Sequence, residues 1–164
     1  MKKWLAMLMG LTMLMTLCSC KESTPEKETT GYTKAESWDY DENRGYFLDE
    51  NAAPQMSGDG LKADLYEAYY TQNGYLYVQV KIGNGTDRVQ QVQSVDVALY
   101  DPETEEMIAG GVAEPEEELI VKIAEVIDYG IYISPEHIKW NDGEKLPGTL
   151  SFEITIDHTP VEVE

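Results

Sequence analysis

The stretch NGYLYVQVKIGNGT, residues 73–86, decides the predicted fold of this chain. Its apolar residues alternate with polar or aromatic ones, at Leu76, Val78, Val80 and Ile82. Alternation with a period of two is the pattern of a β-strand that has one buried face. An Asn-Gly pair stands at each end, and this pair favours tight turns because both residues tolerate positive φ. The stretch therefore predicts a half-buried strand between two turns.

The same alternation recurs along the chain and predicts an all-β fold. Seven strands are predicted, at residues 62–71, 75–83, 89–100, 106–113, 118–126, 130–134 and 149–158. About 100 residues in seven short strands fit an immunoglobulin-like antiparallel β-sandwich over residues 61–164, with an open barrel as the alternative. The segment IVKIAEVIDYG, residues 120–130, also allows a short helix.

Two runs resemble extracellular immunoglobulin-like modules of Gram-positive bacteria. They are GYLYVQVKIGNGTD (74–87) and VQSVDVALYDPETEEMIAGG (92–111), where one strand ends in Asn-x-Thr and the next ends in an apolar-Tyr-Asp turn. The residues that carry the resemblance to the FxLYD-type and SLAP-type families are Val80, Ile82, Asn84, Thr86, Val97, Leu99, Tyr100 and Asp101. The resemblance implies a sandwich fold and a place at the cell surface, and it supplies no catalytic residues.

The first residues predict export and lipidation. Lys2 and Lys3 precede a short apolar run, which has the length of a signal peptide rather than that of a membrane span. The run ends in Leu-Cys-Ser-Cys, which resembles the lipobox of bacterial lipoproteins with Cys20 as the lipidated residue. We therefore expect a signal peptide over 1–19 and attachment to the extracytoplasmic face of the bacterial membrane through lipid.

Between the lipid and the predicted sandwich lie two further segments. Residues 20–37 are charged, rich in Thr, Ser and Glu, and almost free of apolar residues, so they predict a disordered, flexible tether. Residues 38–60 form an acidic, aromatic lead-in segment. The formal net charge of −19 argues against nucleic acid as a partner and favours cations and basic proteins.

The lead-in segment contains the candidate metal site. Asp39, Asp41, Asn43 and Glu50 stand at positions 1, 3, 5 and 12 of a twelve-residue loop. Oxygen ligands at this spacing resemble an EF-hand loop, which makes Ca²⁺ the one cofactor to consider. Arg44 departs from that pattern, because position 6 requires glycine for the turn. The alternative is a segment that packs its aromatic residues onto the sandwich.

The tyrosines form the candidate binding face, which consists of Tyr66, Tyr70, Tyr75 and Tyr77. A two-residue turn at Asn73-Gly74 predicts that Tyr70 lies opposite Tyr77 and that Tyr66 lies opposite Lys81. Exposed neighbouring tyrosines can stack on sugar rings or on a polymer. The alternative is a cross-strand tyrosine ladder that only stabilises the sheet.

The sequence offers little support for catalysis. His137 and His158 stand in no catalytic motif, and no nucleophile elbow, zinc-protease motif or phosphate-binding glycine loop occurs. We therefore expect a non-catalytic binding module at the cell envelope, whose partner is a wall polymer, a glycan or a surface protein. The alternatives are a Ca²⁺-dependent structural or sensing lipoprotein and an accessory subunit of a membrane protein complex.

Overall fold

The computed structural model describes residues 44–140 and 143–162. These residues form an all-β sandwich of two antiparallel sheets. The strands are β1 (Leu61–Tyr70), β2 (Leu76–Asn84), β3 (Gln90–Tyr100), β4 (Met107–Ala113), β5 (Leu119–Val121), β6 (Val126–Ile133) and β7 (Ser151–Pro160). A 3₁₀ turn, Pro135–His137, lies between β6 and β7. The predicted sandwich of about seven strands is confirmed.

The two sheets differ in how their strands are arranged. The three-stranded sheet has the order β1-β2-β6. In the four-stranded sheet β7 runs along one edge of β3, while β4 and β5 share the other edge, at residues 95–100 and 90–92 of β3. The order β1-β2-β6 and the pair β3-β7 reproduce strands A-B-E and C-F of an immunoglobulin sandwich. β5 departs from that plan because it pairs with β3.

The core lies between the sheets and is built mainly from the alternating residues of β2 and β3. Leu76, Val78, Val80 and Ile82 have no exposed surface, and neither have Val95, Val97 and Leu99. Burying each of these side chains contributes roughly 1.5–3 kcal/mol, so this pairing of faces is the main source of stability. The period-two pattern in the sequence thus identified the core side of both strands.

The ambiguous segment 120–130 forms two strands joined by a turn, and no helix. β5 ends at Val121, and the chain turns at Ala124, which has φ 58°. Lys122 anchors this turn, since its N–H donates to the Glu125 carboxylate and its carbonyl accepts from the Glu125 N–H. β6 therefore starts at Val126, earlier than predicted, and β5 is shorter than predicted.

The predicted tyrosine register is wrong, because β1 contains a bulge at Tyr66 and the loop after β1 is longer than predicted. Leu65 pairs with Val80 and Glu67 pairs with Gln79, so the intervening residue has no partner of its own.

The β1–β2 loop also has three residues rather than two, because Thr71 and Tyr75 close it and Gly74 adopts φ 79°. The longer loop places Tyr69, and not Tyr70, opposite Tyr77.

The end of β2 is held by Asn84, whose side chain is completely buried. Its Nδ2 donates to the carbonyls of Arg88 and Val121, at 2.8 and 2.9 Å. Its Oδ1 accepts from the N–H and the hydroxyl of Thr86, at 2.9 and 2.7 Å. The Asn-x-Thr sequence therefore ties the β2–β3 turn to β5 through a fully satisfied polar group.

Candidate binding face

Three tyrosines form a continuous row across the outer face of the three-stranded sheet. The register places Tyr69, Tyr77 and Tyr132 side by side on β1, β2 and β6. The ring centroid of Tyr77 lies 4.9 Å from that of Tyr69 and 4.7 Å from that of Tyr132, with interplanar angles of 42° and 49°. Tilted aromatic pairs at these distances are favourable. We call this row, together with Glu67 and Gln79 beside it, the tyrosine face.

Gly130 makes room for the central ring. A Cβ atom at this position would come within 2.8 Å of the Tyr77 ring, so the ring lies directly over the glycine backbone. Burial raises the pKa of the Tyr77 phenol far above its usual value, and the neighbouring Tyr132, Tyr69 and Glu67 raise this pKa further. The hydroxyl therefore stays protonated, and it donates a long hydrogen bond to Gln79 Oε1 at 3.4 Å.

Glu67 lies next to the tyrosine row on the same face. It is the direct cross-strand partner of Gln79, and residues directly opposite each other share a face of the sheet. Burial against the sheet raises the pKa of its carboxyl group. Across residues 44–140 and 143–162, no basic side chain forms an ion pair with it. The tyrosine face thus carries a partly buried carboxylate without a counter-ion from the described chain.

In the next row along the same sheet face, Lys81 contacts both Asp128 and Tyr66. Lys81 Nζ lies 3.2 Å from the Asp128 carboxylate and 4.3 Å from the centroid of the Tyr66 ring. Such a cation–π contact covers one side of the ring. Tyr66 is therefore less accessible to a ligand than its position on the outer face would suggest.

The four tyrosines predicted from the sequence do not form one surface. Tyr77 lies at the centre of the row, Tyr66 lies at the bulge under Lys81, and Tyr75 lies where the loop joins β2. Tyr70 is only 1% exposed and belongs to the core, where the Arg44 guanidinium lies 4.3 Å from its ring centroid. Its inclusion in the binding face was wrong, because the β1–β2 loop has three residues rather than two, and this places Tyr70 opposite Leu76 instead of Tyr77.

The sequence prediction missed Tyr69 and Tyr132. Tyr69 lies opposite Tyr77 because the β1–β2 loop has three residues, whereas the Asn-Gly pair predicted a two-residue turn. Tyr132 did carry a signal, because Ile131 and Ile133 alternate around it as buried residues, and this alternation points Tyr132 to the opposite face.

The other candidate sites fall mostly outside the described residues. Cys20 and three of the four predicted Ca²⁺ ligands, Asp39, Asp41 and Asn43, lie in residues 1–43, which the structure does not describe. Glu50 lies in an exposed turn in which Asp49 accepts the N–H of Asn51. Among the described residues there is no group of three or more His, Cys, Asp or Glu side chains that could hold a metal ion.

Both histidines have structural contacts. His158 connects the two sheets, because the Leu61 N–H donates to Nε2 at 3.4 Å and Nδ1 lies 2.9 Å from Gln90 Oε1. The Leu61 bond places the imidazole proton on Nδ1, from which it is donated to Gln90. His137 lies in the 3₁₀ turn, 3.6 Å from the carboxylate of its neighbour Glu136.

A shallow depression lies at one end of the sandwich. It is lined by Asp101, Glu103, Trp140 and Lys145, among others. Asp101 has a structural role there, since its carboxylate accepts the N–H of Glu103 at 2.8 Å and its backbone closes the β3–β4 hairpin.

Comparison with known proteins finds no matching family, no matching curated protein and no matching solved structure. The part of the chain that the structure describes contains no helix long and apolar enough to cross a bilayer.

Proposed function

We propose that this chain is a lipid-anchored, non-catalytic binding module of the bacterial cell envelope and that its ligand contacts the tyrosine face. The observation that supports this proposal is the row of Tyr69, Tyr77 and Tyr132 across all three strands of an outer sheet face. Tyrosine is enriched at interfaces, since it offers a large apolar surface together with a polar hydroxyl.

The two outer faces of the sandwich differ in chemistry, and the difference favours the three-stranded sheet. The outer face formed by β3 and β7 carries one tyrosine among several acidic residues, namely Tyr100, Asp96, Glu153 and Asp157. Acidic residues are depleted at the centres of interfaces, because their charges are costly to desolvate. The tyrosine face instead has an aromatic centre with polar residues around it.

The predicted lipid at Cys20 and the predicted tether over 20–37 fit this role. An anchored domain on a flexible tether can search the space above the membrane while staying at high local concentration. The ligand classes in question are a wall polymer, a glycan and a surface protein, all of which are found outside the cell membrane.

The proposal is tested by retention of the full chain, purified in detergent, on washed cell envelopes. Tyr77→Ala removes the central ring, and we expect about a tenfold loss of retention because truncated aromatic anchors typically cost more than about 1 kcal/mol. Tyr100→Ala removes a tyrosine from the opposite outer face and is the matched control. Thermal unfolding of both variants shows whether they are folded.

Equal retention of wild type, Tyr77→Ala and Tyr100→Ala would contradict the assignment of the tyrosine face. Loss in both variants would indicate a general effect of removing exposed aromatic surface, and it would contradict the assignment equally.

A further inference from the structure

Glu67 is the one residue of the tyrosine face whose electrostatic position is unfavourable. Its carboxyl pKa is raised by burial, which means that ionisation costs more here than in water. Lys81, which follows Gln79 on the same face of β2, is engaged by Asp128 and Tyr66. Partly desolvated carboxylates normally have a partner, and the described residues supply none to Glu67.

Acceptor atoms gather around this carboxylate. Gln79 lies directly across from Glu67, which puts their Cβ atoms about 4.5–5.5 Å apart. Gln79 Oε1 and the Tyr77 hydroxyl oxygen lie within 3.4 Å of each other. A lysine ammonium has three donors and no acceptor, so it matches a site of three oxygens beside an aromatic ring.

The rest of the molecule is consistent with a cationic ligand at this position. The formal net charge of −19 attracts cations over a long range and repels anions. The chain also places its own cations over aromatic rings, with Lys81 over Tyr66 and Lys145 over Phe47 at 4.3 and 5.7 Å. A lysine from outside would repeat this contact at Tyr77.

From these observations we propose that the tyrosine face docks a basic protein partner, which places a lysine ammonium between Glu67, Gln79 and Tyr77. The inference rests on the proposed function and narrows the ligand to one class. An open sheet face with an aromatic centre fits a protein surface, because tyrosine is enriched at protein–protein interfaces.

The first test is a titration of the full chain, in detergent at low salt, with a capped pentapeptide of three glycines and two lysines. Binding is followed by NMR shifts of the tyrosine rings. Acetylating the lysines removes the charge, and we expect binding to be lost. Trimethylating them keeps the charge but removes the donors, and we expect binding about tenfold weaker than with free lysine.

Two variants separate a specific site from the general field of the protein. Glu67→Gln keeps the size of the side chain and removes its charge, and we expect about tenfold weaker binding of the lysine peptide. Glu117→Gln removes the same charge from an exposed loop residue, and we expect a change within about twofold. Equal effects of the two variants would overturn the proposal, as would equal binding of the free and the acetylated peptide.

The same variants distinguish this inference from the proposed function. If Tyr77→Ala lowers envelope retention while Glu67→Gln does not, the face binds a ligand but not through an ammonium group, and the inference fails alone. If neither variant lowers retention, the proposed function and this inference both fail. Retention that depends on Glu67 but persists on protease-treated walls would assign the ammonium to a wall polymer and overturn the protein partner.

Discussion

At the scale of single residues, Asn84 is the most constrained polar group in the described chain. Its side chain is completely buried, and its four hydrogen bonds connect the β2–β3 turn to β5. We expect Asn84→Ala to lower the free energy of unfolding by about 2–4 kcal/mol, because it leaves buried carbonyl and N–H groups unpaired. Asn51→Ala, in an exposed turn, is the control and should change the free energy of unfolding by less than about 0.5 kcal/mol. Urea unfolding measures both, and equal effects would refute this role.

Glu67 gives a prediction about pH. Because its pKa in the folded protein is raised, the folded state favours the neutral carboxyl group. Glu67 therefore contributes stability below its unfolded pKa of about 4.5, and this contribution is lost as pH rises through the folded pKa. We expect Glu67→Gln to be more stable than wild type at neutral pH and equally stable below about pH 4. Thermal unfolding across this range measures the difference, and a destabilised variant at neutral pH would contradict the unpaired carboxylate.

At the scale of elements, the strand prediction succeeded where the side-chain pattern alone determines the structure. The two buried strands at the centre of the sheets, β2 and β3, follow directly from alternating apolar residues that burial then confirms. The bulge in β1 left no such signal, since Leu65-Tyr66-Glu67-Ala68 reads equally well in either register. The β1–β2 loop is also one residue longer than predicted, and a shift of one residue exchanges the two faces of a strand, which is why Tyr69 was missed and Tyr70 was misplaced.

The lead-in segment packs against the sandwich more closely than its sequence indicated. Tyr46 pairs with Ala68 along the edge of β1, and the backbone of Met56 lies directly against Gly85. A Cβ atom at Gly85 would overlap the Met56 carbonyl and Ser57, so we expect Gly85→Ala to cost about 1–3 kcal/mol. Gly148→Ala, with open space around it, is the control, and urea unfolding compares the two. An unaffected Gly85→Ala variant would show that the segment is not held there.

At the scale of the whole molecule, net charge sets how salt acts on folding and on binding. With 31 acidic and 12 basic residues, the folded chain repels itself, and salt screens this repulsion. We expect the unfolding temperature to rise between low salt and about 0.5 M NaCl, where the Debye length is well under 10 Å. Binding of a basic partner should weaken over the same range. If the unfolding temperature and the binding of a basic partner did not change with salt, this would argue against a role for the negative net charge.

The outer face of the β1-β2-β6 sheet is the proposed contact surface for the partner. Site-specific photo-cross-linking in intact cells tests this contact. The photoreactive amino acid replaces either Asp128, on the rim of the tyrosine face, or Glu153, on the opposite outer face. We expect a discrete protein adduct from position 128 that disappears with Tyr77→Ala, and no adduct from position 153. The same adducts from both positions, or an adduct from 153 alone, would contradict it.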